Sequence, residues 1–337
     1  MRSIVYTHTG SPDVLDLVDR EITDPEPGEV RVRVLASGVN PTDWKSRSTG
    51  DLTLPEVTPN QDGAGVVDAV GDGVTGLDVG DRVWLYLSAY QRSSGTAQEY
   101  ANVLAEHTVK LPVGTSFDIG ASLGVPAVTA HRALTVSEDG PDRLYPGALH
   151  GKYVLVAGGA GAVGHAAIQL GRWAGATVIT TISSDEKAAL VTAAGAHHVV
   201  NYRTEDAASV IEAIAPGGVD IIVEVSIRAN AELDEAIAAP RASIAIYAND
   251  GGDSFPLAIR PNMSKNIRYQ FVLLYTVGAP ALQAAAEDIT EALIAGALPV
   301  GDAAGLPLHR FPLAETAAAH QAVQDAVVGK VLIDVTE

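Results

Sequence analysis

The pattern of apolar and polar positions changes character near residue 125. Before that point, short strand-like runs are separated by Gly, Pro and Asp, and residues 29–35 alternate as a strand with one buried face does. Residues 63–71 and 80–85 have the same texture and are bounded by turn-forming residues. The first third of the chain is therefore predicted to be a mostly β domain.

After residue 125 the chain repeats a unit of apolar strand, glycine-bearing turn and alanine-rich helix. Continuous β-branched runs that alternate with helices indicate a parallel sheet covered by helices on both faces. A long helix and a last strand then return the chain to the β domain. The predicted strands are 153–157, 177–182, 219–225, 242–246 and 330–335, and the predicted helices end near 169 and 193 or span 279–295.

Composition narrows the functional classes. The chain has 337 residues, 22 Lys and Arg against 41 Asp and Glu, and a formal net charge of −19, which repels nucleic acid and anionic membranes. It has no cysteine, so disulfides, thiol nucleophiles and thiolate metal sites are excluded. No apolar run has the length of a membrane helix, and the first residues lead into a strand rather than an apolar leader. We therefore expect a cytoplasmic protein.

A glycine-rich loop is the strongest single motif. Gly159-Ala160-Gly161-Ala162-Val163-Gly164 follows a predicted strand and opens a predicted helix, which is the context of a dinucleotide-binding loop. There Gly159 would allow the tight turn, Gly161 would admit a pyrophosphate, and Gly164 would let helix and sheet pack closely. The N–H groups of the helix N-terminus favour phosphate. The alternative is a structural turn with surplus glycines.

The tip of the next strand bears on the choice of dinucleotide. An acidic residue at that tip favours NAD, whereas this chain has Ser183 and Ser184 followed by Asp185. Ser184 is predicted to cap the next helix. Lys187 would favour NADPH if it reaches a 2′-phosphate, with the hydroxyls of Ser183 and Ser184 as further donors to the cofactor. If it is a solvated helix lysine, NADH is the alternative.

A series of segments occurs in an order typical of one protein family. These segments are 37–43, 62–67, Gly71 with 80–83, 98–100, 129–134, 159–169, 195–202, 220–224 and 329–332. The series resembles the zinc-free quinone oxidoreductases, close to zeta-crystallin, within the medium-chain dehydrogenase/reductase superfamily, and the resemblance extends over essentially the whole chain. It implies a Rossmann doubly wound parallel sheet domain at 127–276, and a mostly β GroES-like catalytic domain formed by 1–126 and 277–337.

The resemblance also implies the site residues. Asn40 would lie near the nicotinamide and the substrate, and Thr129 would touch the nicotinamide half of the cofactor, unless it simply caps a helix. Residues 272–274 have a plain edge strand as their structural alternative. Lys45 replaces a tyrosine of zeta-crystallin-type enzymes, and it either orients a carbonyl or anionic substrate or is an exposed lysine. The remaining implied cofactor contacts are Ala160, Gly161, Ala162, Val163, Gly164, Ser183, Lys187, Tyr202, Asn230, Tyr247, Ala248, Asn249, Val272, Leu273 and Leu274.

The expected chemistry needs no metal. Zinc-binding relatives carry a histidine ligand where this chain has Gln61, and cysteine is absent, so we expect no zinc. Hydride would pass from NADPH to a quinone or similar conjugated carbonyl, whose oxygen takes up the charge. Tyr86, Tyr90, Tyr275, Lys45 and water are the candidate proton sources.

Alternatives to this activity are an enone or enoyl-thioester reductase and a non-catalytic protein that binds NADPH. A small-molecule substrate is expected, with no nucleic-acid or membrane partner. The family also implies a homodimer joined through the edge strand around residues 271–274.

Overall fold

The structure is a computed structural model that describes residues 1–336. The chain divides into two compact units. The first contains the residues up to Val125 and those from Pro307 onward, and the second contains Pro126–Leu306.

Short strands dominate the chain as far as residue 134, as the alternating pattern predicts. The elements are β1 (Arg2–Val5), β2 (Asp16–Asp19), β3 (Glu29–Val39), α1 (Pro41–Ser48), β4 (Asp62–Val70), β5 (Arg82–Leu85), β6 (Tyr100–Leu104), β7 (Thr108–Lys110) and α2 (Phe117–Leu134).

Strands and helices alternate from residue 153 to residue 294. The elements are β8 (Tyr153–Ala157), α3 (Ala162–Trp173), β9 (Thr177–Ile182), α4 (Asp185–Ala194), β10 (His198–Asn201), α5 (Ala207–Ile214), β11 (Val219–Glu224), α6 (Ile227–Ile237), β12 (Ala238–Ile246), α7 (Ile259–Lys265), β13 (Arg268–Phe271) and α8 (Ala279–Ile294).

The last part of the chain contributes β14 (Leu308–Pro312), α9 (Thr316–Gln324) and β15 (Lys330–Asp334) to the first unit. Its seven-stranded sheet has the order β14-β15-β3-β4-β5-β7, and β6 also pairs with β3. Val30, Val32 and Val34 of β3 are fully buried in the core of this unit. Their alternation with the half-buried Arg31 and Arg33 explains the period of two in the sequence.

The second unit contains a parallel six-stranded sheet with the order β10-β9-β8-β11-β12-β13. This is the strand order of a Rossmann fold. The order in which the strands follow one another, and not the direction of the strands, reverses between β8 and β11. Val154, Leu155 and Val156 are all fully buried, as expected for a strand covered on both faces. The predicted doubly wound sheet is confirmed.

Helix α8 belongs to the second unit, whereas the sequence analysis assigned residues 277–337 to the β domain. Its Asp288 carboxylate accepts hydrogen bonds from Arg143 at 2.6 and 2.8 Å and lies 2.8 Å from Nε2 of His131. These contacts connect α8 to the C-terminal half of α2 and to the segment after it. They account for a boundary between Leu306 and Pro307 instead of near residue 277.

Helix α2 is broken at Gly124, where φ is −21° and ψ is −106°. Pro126 lacks an N–H group, and a Cβ on Gly124 would lie 2.0 Å from Oδ1 of Asp62. That oxygen accepts a hydrogen bond from the N–H of Val125 at 2.8 Å. The Asp62 carboxylate therefore occupies the break. No helix of the described residues is both long and apolar enough to cross a membrane.

Candidate active site

The glycine-rich loop connects β8 to α3 as predicted, but the roles of its glycines in the turn and in packing differ from the predicted roles. Gly158, with φ of +65°, is the residue of this turn with the left-handed conformation, whereas the sequence analysis gave the tight turn to Gly159. A Cβ on Gly159 would lie 2.1 Å from Oγ1 of Thr180, and one on Gly164 would lie 2.7 Å from Cα of Gly159. Both positions therefore need glycine for close packing.

Gly161 differs from its neighbours because it is exposed. A Cβ there would meet its nearest heavy atom only at 3.6 Å, so nothing in the protein itself requires glycine. Gly161 is the N-cap of α3, and Ala162 and Val163, in the first turn, are half-buried. The N-terminus of α3 is thus open to an anion beside the one glycine of the motif with free space.

Four predicted cofactor residues, Ser183, Ser184, Lys187 and Tyr202, gather where β9 and β10 end. Ser184 caps α4 by accepting a hydrogen bond from the main-chain N–H of Lys187, as predicted. Nζ of Lys187 donates to Oγ of Ser183 at 3.3 Å, and the N–H of Tyr202 donates to the carbonyl of Ile182 at 3.2 Å. Tyr202 is 52% exposed. A cation, two hydroxyls and a phenol therefore share one edge of the sheet.

A second group of predicted contacts lies where β11 and β12 end. Nδ2 of Asn230, in α6, donates to the Glu224 carboxylate at 3.0 and 3.2 Å. The N–H of Tyr247 donates to the Glu224 carbonyl at 3.1 Å, and burial raises the pKa of the Tyr247 hydroxyl. Ala248 follows it, and the amide of Asn249 donates to Asp253.

The other predicted contacts of the second unit lie at residues 129 and 272–274. Thr129 is buried inside α2, so the helix-cap alternative is wrong. Strand β13 ends at Phe271, although the N–H of Val272 still donates to the Ile246 carbonyl at 2.7 Å. Leu273 is 58% exposed and Leu274 is buried, so this segment leaves the sheet instead of continuing as a plain edge strand.

Asn40, in the first unit, lies in a buried polar network that the sequence analysis missed. Its Nδ2 donates to Oδ2 of Asp62 at 2.7 Å, and its Oδ1 accepts from Nζ of Lys330 at 2.6 Å. Its main-chain N–H donates to Asp43 at 2.7 Å. Since all four residues are at most 4% exposed, the network fixes the orientation of the Asn40 amide.

The network contains two carboxyl groups and one ammonium group. Burial first, and then the charge of the neighbouring Asp62, raise the pKa of Asp43 to about 7, against the lowering effect of two main-chain N–H donors and Lys330. Burial also raises the pKa of Asp62 and lowers that of Lys330. One buried cation therefore compensates one carboxylate, and Asp43 is the group that takes up a proton near neutral pH.

The candidate proton donors differ in their surroundings. Tyr86 is a core residue whose hydroxyl donates to the Glu106 carbonyl at 2.9 Å, so the suggestion that it supplies a proton is wrong. Lys45 is half-buried, with Nζ 5.9 Å from the centre of the Trp44 ring. Tyr275 is half-buried at the edge of the second unit.

Comparison with known proteins agrees with this geometry. The family described as alcohol dehydrogenase GroES-like domain matches residues 26–113, and the family described as zinc-binding dehydrogenase matches residues 162–291. The quinone oxidoreductase of Lama guanicoe is 32% identical over 342 residues, 99% of this chain and 97% of that protein. The chain belongs to the quinone oxidoreductase family. Its assignment to the medium-chain dehydrogenases/reductases and the GroES-like fold of its first unit are thereby confirmed.

Two further members of this group of proteins bear on the chemistry. The crystal structure of Escherichia coli quinone oxidoreductase complexed with NADPH has a TM-score of 0.81 at 25% identity, covering 99% of this chain and 100% of that one. The 2-haloacrylate reductase of Burkholderia sp. is 30% identical, covering 93% and 92%. Membership of the quinone oxidoreductase family makes the protein an oxidoreductase.

The donor set does not fit zinc, despite the description of the second family model. Oε1 of Gln61 accepts a hydrogen bond from the N–H of Ala89 at 3.2 Å, and the chain has no cysteine. In residues 1–336 no group of three or more His, Cys, Asp or Glu side chains is placed to hold a metal ion. An amide without thiolate or imidazole partners is a poor zinc ligand.

Sequence reasoning missed Asp62, Lys330, Glu224 and Asp234, all of which are buried beside predicted site residues. Lys330 and Glu224 stand at the ends of apolar strands, and a charge within an apolar run is the signal that could have flagged them. Lys330 is 290 positions from Asn40 along the chain, and Glu224 lies in β11 whereas Asn230 lies in α6, so these pairs are shown only by the structure.

Proposed function

We propose that the protein is a zinc-independent, NADPH-dependent oxidoreductase that transfers hydride to a quinone. The observation that carries the proposal is the grouping of Lys187, Ser183 and Tyr202 at the carboxyl ends of β9 and β10. In a doubly wound sheet this edge binds the adenosine ribose, and an ammonium with hydroxyl groups suits a 2′-phosphate. Escherichia coli quinone oxidoreductase, which has the same fold, was crystallised with NADPH.

The chain's own residues would bind and orient the cofactor. The first turn of α3 would hold the pyrophosphate through main-chain N–H groups, with Gly161 allowing its close approach. Bound NADPH supplies the hydride, and the protein supplies position and exclusion of water. The residues that would surround the rest of the cofactor are Thr129, Asn230, Tyr247, Ala248, Asn249, Val272, Leu273 and Leu274.

Asn40 and Lys45 are the proposed substrate-orienting residues. Asn40 donates one amide hydrogen to Asp62 and retains a second one for a ligand. Lys330 prevents the amide from flipping because it needs an acceptor at Oδ1. Asn40 would therefore act as a fixed hydrogen-bond donor toward a carbonyl oxygen, and Lys45 would supply positive charge beside it.

Quinone is the first candidate substrate because the chain is similar to quinone oxidoreductases over nearly its whole length. The second candidate is an alkene conjugated to a carbonyl or carboxylate group. It is favoured by the likeness to 2-haloacrylate reductase, which covers 92% of that protein. Both classes accept hydride at carbon while the charge moves to oxygen, so neither needs a metal.

The test compares initial rates of NADPH and NADH oxidation by the EDTA-treated enzyme with 1,4-benzoquinone and with an enone. We expect NADPH oxidation with benzoquinone that EDTA does not reduce, and a KM for NADPH raised at least about tenfold in Lys187→Ala. The KM for NADH, which lacks the phosphate, is the internal control and should stay unchanged. Equal use of the two dinucleotides would refute the NADPH assignment, and turnover of the enone alone would favour the second substrate class.

A further inference from the structure

Two fully buried carboxyl groups, those of Glu224 and Asp234, interact near the point where the strand order of the parallel sheet reverses. Glu224 is the last residue of β11, and Asp234 lies one helical turn after Asn230 in α6. Both carboxyl residues are 0% exposed. Dinucleotides bind at this reversal point in doubly wound folds, so groups buried beside it act on the cofactor site.

Hydrogen-bond donors are distributed unequally between the two carboxyl groups. Glu224 accepts from the N–H of Ser226 and from Nδ2 of Asn230 at 3.0 and 3.2 Å. Within residues 1–336, no N–H or O–H group donates to either oxygen of Asp234, although both oxygens are buried. The neighbour that Asp234 interacts with is the Glu224 carboxyl group itself.

Two ionised carboxylates cannot form a hydrogen bond with each other, because neither has a proton to donate. One proton shared by the pair removes this conflict and halves the buried charge. The N–H donors around Glu224 stabilise its charged form, so the proton belongs on Asp234. Burial first, and then the charge of Glu224, raise the pKa of Asp234 well above its ordinary value.

Within residues 1–336, none of the groups that act on the pKa values of Glu224 and Asp234 carries a positive charge. After burial, the charges of Glu224 and Asp250 raise the pKa of Tyr247, the residue that follows β12. Tyr269, in β13, faces Asp234 and Glu235, and its hydroxyl donates to Oδ1 of Asn262 at 2.8 Å. The negative charge of the Glu224–Asp234 pair is therefore reduced by the shared proton and not by a neighbouring cation.

We propose that Asp234 is a neutral carboxylic acid that donates a hydrogen bond to the Glu224 carboxylate, and that this pair fixes Asn230 with its carbonyl oxygen facing the cofactor. The Asn230 amide must present its NH2 group to Glu224, because an ionised carboxylate only accepts. Oδ1 of Asn230 is left to accept a hydrogen bond from a hydroxyl, such as that of a cofactor ribose. Asp234 and Glu224 are positioning residues, and the role given to Asn230 rests on the proposed function.

Infrared spectroscopy tests the protonation of Asp234 without any cofactor. We expect a carboxylic-acid carbonyl band in the wild-type protein above neutral pH, and its loss in Asp234→Asn, which keeps the shape and a hydrogen-bond donor. A wild-type spectrum without an Asp234-dependent acid band would overturn the proposal. Asp43 also titrates near pH 7, so the assignment uses the difference between wild type and D234N at about pH 9.

NADPH titrations test the effect on Asn230. Asp234→Ala and Glu224→Gln should each weaken NADPH binding about tenfold with a smaller change in kcat, the size of one lost hydrogen bond. Asp234→Asn should recover most of the affinity lost in Asp234→Ala. In an Asn230→Ala background, Glu224→Gln should have no further effect on NADPH affinity. Additive losses in that double variant, or no rescue by D234N, would overturn the positioning role.

The two proposals fail in different ways. If the wild-type protein does not bind NADPH, the proposed function and the role of Asn230 fall together. The acid band would still decide whether Asp234 carries the proton. If NADPH binds normally in every variant, the positioning role alone is refuted.

Discussion

Lys330 places an ammonium group where its side chain is 1% exposed, with Oδ1 of Asn40 at 2.6 Å and Oδ2 of Asp62 at 3.5 Å. Removing such a charge from water costs several kcal/mol, which is recovered only if its partners are well placed. Gly38 makes room for it, because a Cβ there would lie 3.0 Å from Cε of Lys330. The lysine therefore holds together the residues that fix Asn40.

Replacing Lys330 by Met should lower the free energy of unfolding by about 3–5 kcal/mol, since it leaves Asp62 buried without its cation. The loss is measured by urea unfolding followed by far-UV circular dichroism. The matched control is Lys110→Met, because Lys110 also pairs with a carboxylate, Asp81, but is half exposed and should matter little. An equal effect of the two substitutions would contradict the account of the buried network.

Asp43 should make the protein less stable as the pH rises. Its pKa is about 7 in the folded state against an ordinary value of 3.8, so the folded state holds a proton that the unfolded chain releases. The contribution is complete below about pH 4 and is lost as the pH rises to about 7, at up to about 1.4 kcal/mol per pH unit. Urea unfolding of wild type and Asp43→Asn between about pH 5 and about pH 8 measures it.

The comparison with Asp43→Asn is needed because buried histidines act in the opposite direction. Burial lowers the pKa of His320 to about 3, so its contribution is present above about pH 6.5 and is lost on acidification. Both proteins contain His320, and the difference between their pH profiles isolates Asp43. Parallel profiles would show that Asp43 does not titrate in this range.

In the βα turn after β8, one glycine of the motif is expected to affect NADPH binding and another to affect stability. Gly161 has φ of −79° and ψ of 162°, a conformation open to alanine, and free space at its Cβ position. Gly161→Ala should keep the free energy of unfolding within about 0.5 kcal/mol and weaken NADPH binding at least about tenfold, because the methyl group meets the pyrophosphate.

Gly164→Ala is the matched variant of the same loop. Its Cβ would lie 2.7 Å from the Gly158 carbonyl oxygen and from Cα of Gly159, so we expect a loss of about 1–3 kcal/mol in stability. Thermal unfolding and NADPH fluorescence measured on both variants separate the two effects. A Gly161→Ala protein that binds NADPH normally would argue against this loop as the pyrophosphate site.

Elements with a long or continuous pattern could be predicted closely from the sequence. Strands β8 and β9 have the predicted bounds, and α8 ends one residue earlier than expected. The break in α2 at Gly124 could not be predicted, because it depends on the carboxylate of Asp62 from a distant strand. The G-x-G-x-x-G spacing likewise located the loop but could not show that Gly158 is the residue with positive φ.

The same limit applies to the site. Residue types predicted Lys187 and Ser183 at the ribose edge, since both lie within five residues of one strand end. The partners of Asn40 escaped prediction because 290 positions separate Asn40 from Lys330 along the chain. The local sequence pattern therefore predicts which side chains lie at a strand end, and tertiary contacts decide which of these side chains are held in one orientation.

At the scale of the whole molecule, β13 is an edge strand of the parallel sheet, and within residues 1–336 it pairs only with β12. Phe271, at its end, is 65% exposed. An exposed edge with an apolar end suits pairing with a second copy of the chain, so we propose a homodimer through this edge. Light scattering should give a mass twice that of the 34.8 kDa chain, and Phe271→Asp should halve it.

The control for that measurement is Val113→Asp, because Val113 is also fully exposed but belongs to the first unit and not to the unit that contains β13. It should leave the measured mass unchanged. A wild-type protein of single-chain mass would refute the dimer.

The order of the first sheet has a consequence for biosynthesis. Strand β3 pairs with β15, which is made of residues 330–334, and β14 reaches the sheet only through β15. A ribosome therefore completes all of Pro126–Leu306 while residues 36–39 of β3 still lack their neighbour on one edge. The unit that is started first is finished last. During that interval the nascent chain exposes an unpaired strand edge, the kind of surface that chaperones cover.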